Sequence, residues 1–143
     1  MILISHRGNI NGIDKRNENK IDYIKNAIHE GFNVEIDIRC FNDKLYLGHD
    51  EPDVKIDNEF LINDKLWCHA KDIDALYKLR KLNSIHFWHQ NDDYTLTSNG
   101  YFWTFPGKKL NFRSICVLPE LAKYKNINCS GICSDYIEKY KIV

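Results

Sequence analysis

Glu35 and Asp37 stand two positions apart in the run NVEIDIRC, and side chains two apart on a strand share a face. Two carboxylates on one face, with Arg39 beyond them, suit a hard divalent cation, whose preferred ligands are carboxylate oxygens. The competing reading is a water-facing strand surface. Val34, Ile36, Ile38 and Cys40 fall on the other face and read as core. His6 and Arg7 follow a short apolar run, His49-Asp50 ends a hairpin, His69 and Lys71 lie two apart on a later segment, and His89 and Asp135 each end another. Histidine suits proton transfer near neutral pH, although a lone histidine at a strand end is more often just hydrogen-bonded. Arg7 can grip a phosphate bidentately or pair with Asp37. Lys71 can meet a phosphate as a point charge or stand as an ordinary surface lysine. His89, Trp88 and Trp103 are read as packing, and Glu120 as solvated. What joins the candidates is position, since each lies at or near the C-terminal end of a predicted strand, where parallel sheets and barrels bind ligands.

The elements that must position these residues follow from periodicity. Strands are predicted at 2–5, 33–41 with a hairpin partner after Asn42-Asp43, 66–71, 85–90, 101–105, 114–119 and 131–136. A helix is predicted over 19–30, with Ile21, Ile24 and Ile28 on one face and Gly31 as its stop. A second runs from the cap Asp72 to about Leu82, with Ile73, Leu76, Tyr77 and Leu79 as its apolar side. A short helix starts at Pro119, the C-terminal tail is read as helical, and 51–65 as loop with a short extended piece. Strands alternating with helices give an α/β chain with parallel strands. Between Gln90 and Gly100, and between Pro106 and Arg113, no amphipathic helix is found, although parallel strands need a crossover of about a dozen residues. Those strands are therefore partly antiparallel, or their outer face is covered by loops or another subunit. The hairpin register puts His49 on the core side unless Gly48 ends the ladder and swings it back toward the carboxylates.

The 143 residues suit one domain, 1–143, with a real core. Lysine plus arginine equals aspartate plus glutamate at 20 each, and no basic stripe is present, so no nucleic-acid partner is expected. No polybasic or amphipathic segment suggests stable membrane association. The opening MILISHRG is too short an apolar run for a signal peptide or membrane span, so a cytoplasmic location is expected. Five cysteines without a Cys-x-x-Cys pair read as small buried residues in a reducing compartment.

The order His6-Arg7-Gly8, Glu18-Asn19, Glu35-x-Asp37, His49-Asp50 resembles the glycerophosphodiester phosphodiesterase family, within the phospholipase-C-like phosphodiesterases. The resemblance is strong over 2–50. Beyond that, His69-Ala70-Lys71 is similar to the family's third-strand Glu-x-Lys, with histidine in place of glutamate, and GICSDY to its closing strand. The resemblance implies Glu35, Asp37 and His69 as ligands of one divalent cation at the rim. It implies His6 and His49 as an acid–base pair, Arg7 and Lys71 as phosphate ligands, and Glu18 as a further carboxylate. The cation implied is magnesium or calcium, with manganese or zinc better tolerated because of His69. The family's barrel usually runs to about 250 residues. The implied fold is thus a truncated or distorted (β/α) TIM-type barrel, with a β-hairpin after the second strand and few outer helices. The implied activity is hydrolysis of a glycerophosphodiester or similar polyol phosphodiester. The alternatives are a lyase releasing a cyclic phosphate and a non-catalytic barrel binding phosphate or a sugar phosphate. A homodimer through the thinly covered side, near Phe102, Phe105 and Ile115, is a further expectation.

Overall fold

The period-two run at 33–41 forms the longest strand, and the rest of the sheet is assembled around it. The structure, a computed structural model, describes residues 1–141. In chain order the elements are β1 (Ile2–His6), α1 (Ile21–His29), β2 (Asn33–Phe41), β3 (Lys44–Leu47), β4 (Val54–Lys55), α2 (Asn58–Leu61), β5 (Leu66–Ala70), α3 (Ile73–Leu79), β6 (Ile85–Trp88), β7 (Tyr94–Leu96), β8 (Phe102–Thr104), β9 (Ser114–Val117) and β10 (Gly131–Ser134). Single 3-10 turns occupy Pro119–Leu121 and Ile137–Tyr140. Parallel pairing runs β6-β5-β2-β1-β10-β9-β8, while β3, β4 and β7 add antiparallel partners.

This sheet is mixed and curled. Trp67 on β5 and Trp103 on β8 are separated in strand order by four strands, yet their rings lie 6.1 Å apart. Phe87 on β6 comes within 4.4 Å of Trp103. The concave face therefore closes on itself around Ile4, Trp67, Phe87, Trp103, Ile115, Val117 and Cys133. The architecture is a mixed α/β one with few helices, and its curl is compatible with a distorted barrel.

The convex face is covered in two ways. Over β2 and β5, α1 and α3 bury Ile24, Ala27, Ala75 and Leu79 against Val34, Ile36, Ile38, Leu66 and Cys68. Over β1, β9 and β10, the cover is Phe32, Ile137, Leu110, Tyr124 and Ile127, from loops and a turn. Asp72 caps α3 by accepting from Ala75 N at 2.8 Å, as its position suggested.

The two segments without an amphipathic helix follow two of the alternatives: that between 90 and 100 contains β7, antiparallel to β8, and that over 106–113 links two parallel strands whose outer face is covered by loop side chains. Other expectations need correction. The helix expected from Pro119 is one 3-10 turn, since Ala122 is already extended. Ile73 and Tyr77 of α3 are exposed, and the buried side is Ala75 and Leu79 with Leu76. Ile115 is fully buried inside the curl, so it offers no surface for self-association. The helical tail is represented by the turn Ile137–Tyr140, and residues 142 and 143 lie outside the described residues. All five cysteines are free, with Cys68, Cys116 and Cys133 buried. Among the described residues, no helix is long and apolar enough to cross a membrane.

Candidate functional site

One edge of β2 brings the two ends of the motif together. Arg7 N donates to Glu35 O at 2.9 Å, and Gly48 N donates to Asp37 O at 3.1 Å. The end of β1 and the end of β3 thus meet at neighbouring rungs of the same edge. Gly48 ends the ladder at φ +151°, and a Cβ there would stand 1.9 Å from Glu51 O, so only glycine fits. Arg7, at φ 55°, and Gly8, at φ +94°, make the reversal after β1. A Cβ on Gly8 would stand 2.5 Å from the Tyr23 ring.

Glu35 and Asp37 are essentially inaccessible to solvent, which removes the water-facing reading of that strand face. Asp37 is gripped from several sides. Arg7 Nε lies 2.9 Å from Oδ2, Asn19 Nδ2 donates to Oδ2 at 2.9 Å, and Lys71 Nζ is 3.7 Å from Oδ1. Asn19 Oδ1 also accepts from Asp37 N at 3.0 Å. His69 Nδ1 faces both carboxylates, 3.2 Å from Glu35 Oε1 and 3.6 Å from Asp37 Oδ1. Its other nitrogen, Nε2, donates to the carbonyl of His89 at 2.7 Å. That bond orients the ring so that Nδ1 faces the carboxylates, where a cation would be ligated in place of the hydrogen bond to Glu35 Oε1. Glu35 Oε2 and Asp37 Oδ1 are buried and accept no hydrogen bond. One ligand atom from each of Glu35, Asp37 and His69 lies within 4.8 Å of the others. Bonds of about 2.1 to 2.4 Å to one cation span such a separation.

The two histidines expected to move protons each meet an aspartate, the one buried and the other exposed. His6 Nδ1 donates to Asp135 Oδ1 at 2.7 Å, and His49 Nδ1 donates to Asp50 Oδ1 at 2.7 Å. Each keeps Nε2 for chemistry, as an aspartate-held imidazole does in acyl-transfer enzymes. His6 Nε2 lies 3.9 Å from Glu35 Oε2. Burial alone would lower the His6 pKa, but its bond to Asp135 and the nearby Glu35 raise it above the ordinary value. Burial alone would raise the Glu35 pKa, yet the His69 hydrogen bond and the His6, His69 and Arg7 charges bring it to about 2. Asp135 is also lowered against the effect of its burial, by His6, Asn9 and Arg7.

Glu18 supports the site rather than facing the triad. It accepts from Asn9 Nδ2 at 2.9 Å and from Arg7 Nη1 at 3.3 Å. Asn9 also donates to Asp135 Oδ1 at 2.8 Å, so one amide ties the loop after β1 to β10. Glu120 is exposed, as expected, and in addition accepts from Ser134 Oγ at 3.0 Å and from Asp135 N at 2.9 Å. It therefore fixes the backbone of the residue that holds His6. His89 is buried, as expected, but its carbonyl orients His69. Asp135 was visible at its strand end, and Asn19 in the Glu18-Asn19 pair. Nothing in the spacing distinguished Asn9 or Glu120.

His6, Arg7, Glu35, His49, His69 and Lys71 all line one cavity of about 410 Å³. Arg7 and His49 also line a second hollow, of about 690 Å³, on their other side. A groove of about 1040 Å³ between the hairpin and α3 contains none of the candidate residues. Comparison with protein-family models, curated proteins and solved structures gave no match to this chain.

Proposed function

We propose that this chain is a metal-dependent phosphodiesterase acting on a glycerophosphodiester or a similar polyol phosphodiester, on a truncated and distorted (β/α) barrel. The observation that carries the proposal is the convergence of His69 Nδ1 with the buried Glu35 and Asp37 carboxylates, of which Glu35 Oε2 and Asp37 Oδ1 accept no hydrogen bond. Buried charged oxygens without a donor are costly, and a divalent cation held by Glu35, Asp37 and His69 would satisfy them. When bound, such a cation supplies charge neutralisation at a non-bridging phosphate oxygen. Arg7 and Lys71 bring positive charge to the same cavity and hold the phosphate. His6, with its raised pKa, is the proton donor to the leaving alkoxide, and His49 Nε2 accepts the proton of the attacking hydroxyl.

A second reading has its own support. An imidazolium at His69 would bridge Glu35 and Asp37 without metal, leaving a cavity that binds phosphate but does no chemistry. Hydrolysis of a phosphodiester panel with magnesium, calcium, manganese, zinc or chelator, beside His49→Ala and Glu35→Ala, separates the two. Metal-dependent turnover lost in both variants is the expected result. Absence of turnover with every metal in folded protein would overturn the enzyme reading. Phosphorus NMR of the products then tells hydrolysis from release of a cyclic phosphate.

A further inference from the structure

The guanidinium groups of this chain meet different surroundings. Arg7 divides its charge between Asp37, 2.9 Å from Nε, and Glu18, 3.3 Å from Nη1. Arg80 lies over the Tyr77 ring at 4.6 Å, and Arg113 over the Tyr101 ring at 4.5 Å. Arg16 is exposed to water. Arg39 has none of these. It is half-buried and lines the cavity of the candidate site. Among the described residues, no carboxylate forms an ion pair with it and no aromatic ring carries its charge.

Its place follows from β2. Arg39 stands two residues after Asp37, so it shares the strand face of Glu35 and Asp37. Its Nε and Nη2 both donate to the carbonyl of His49, at 3.0 and 2.6 Å. That grip at two points fixes the guanidinium plane beside His49. The remaining N–H groups, both on Nη1 and the second on Nη2, have no acceptor among the described residues. If Arg39 only braced the backbone at His49, a neutral amide donor would serve. A full charge, partly out of water and without a counter-ion, is costly. The other cations of the cavity, Arg7 and Lys71, both face Asp37. Arg39 is thus the one whose charge this chain leaves unmet.

Resting on the phosphodiesterase reading, we propose that Arg39 is a phosphoryl-binding residue that also positions His49. Its open N–H groups take a non-bridging phosphate oxygen. Its bonds to the His49 carbonyl hold the proton acceptor in register with that same phosphate. A planar guanidinium can serve both partners at once, whereas an ammonium is a point charge on a flexible stem. Arrival of the anion and placement of the base are thereby joined in one side chain.

The test is binding of methyl phosphate in buffer containing magnesium. It is read by calorimetry and by proton–nitrogen NMR of the arginine Nε–H signals. The Arg39 signal is expected to shift on saturation. Arg113 grips Gly100 O through the same two atoms, away from the cavity, and its signal should stay. Arg39→Gln should weaken binding roughly tenfold or more, and Arg113→Gln should leave it unchanged. In turnover of a diester, Arg39→Lys should bring KM back toward the wild-type value without restoring kcat. Full recovery of kcat by lysine would overturn the positioning role. Equal affinity of Arg39→Gln and wild type would overturn the inference and leave the phosphodiesterase reading in place. A weakened variant without a shift of Arg39 in the wild-type protein would overturn it too, because the effect would then be indirect. Should Arg39→Gln not fold, the wild-type signals decide alone. If the wild-type protein binds no methyl phosphate, both the reading and the inference fall.

Discussion

The two sides of the curled sheet are built by different rules. Over β2 and β5, amphipathic helices bury a continuous apolar face, and site residues project from the opposite face by strand alternation. Over β1, β9 and β10, loops replace helices, and a side-chain bond to backbone, from Glu120 to Asp135 N, fixes the site. The helix-covered side supplies Glu35, Asp37 and His69, and the loop-covered side supplies His6 and the Asp135 that holds it. Where no helix lies, loops reach the same convex face with Leu110, Tyr124 and Ile127.

The largest expected effect lies on the helix-covered side. Glu35→Ala should reduce manganese affinity by calorimetry, and turnover with it, by at least on the order of a hundredfold. Undiminished metal binding would remove the chemical half of the contrast. Leu79→Ala, a fully buried truncation beneath α3, should cost about 2 to 5 kcal/mol in urea denaturation. Leu110→Ala, half-buried in the loop cover, should cost no more than about 1 kcal/mol. Equal losses would mean that loops and helices seal the sheet equally well. Gly48→Ala forces a Cβ into Glu51 O, and a loss of roughly 1 to 3 kcal/mol is expected, along with impaired turnover as His49 shifts. The smallest expected effect is that of Glu120→Gln, about tenfold in kcat with little change in KM or thermal midpoint. Because it acts through Asp135 on His6, the limb of the pH–rate profile assigned to His6 should move. An unmoved profile would reduce Glu120 to a structural strut.

The sequence was most legible where geometry repeats. Alternation along 33–41 correctly separated Glu35 and Asp37 from Val34, Ile36 and Ile38, and glycine chemistry placed the bend at Gly48. It was least legible where structure depends on closure. Ile115 and Phe102 are one strand apart in a sheet whose curl no local pattern announces, so Ile115 was expected outside and is inside. Glu120 and Asn9 act through bonds to residues 15 and 126 positions away, and no periodicity records such separations. The three-residue strand β7 carries too few side chains to show alternation. The apolar side of α3 was misread because Ile73 and Tyr77 imitate a buried stripe, while small Ala75 lies at the contact.

The pairing of β1 with β10 also bears on the order in which contacts can form. His6 and Asp135, which holds it, stand 129 positions apart. Contacts of such sequence separation form late because loop closure must be met before they stabilise anything. β2, by contrast, pairs with β1, β3 and β5, all of them far nearer in sequence, so its contacts close shorter loops. The His6–Asp135 bond is then expected to form after the contacts around β2.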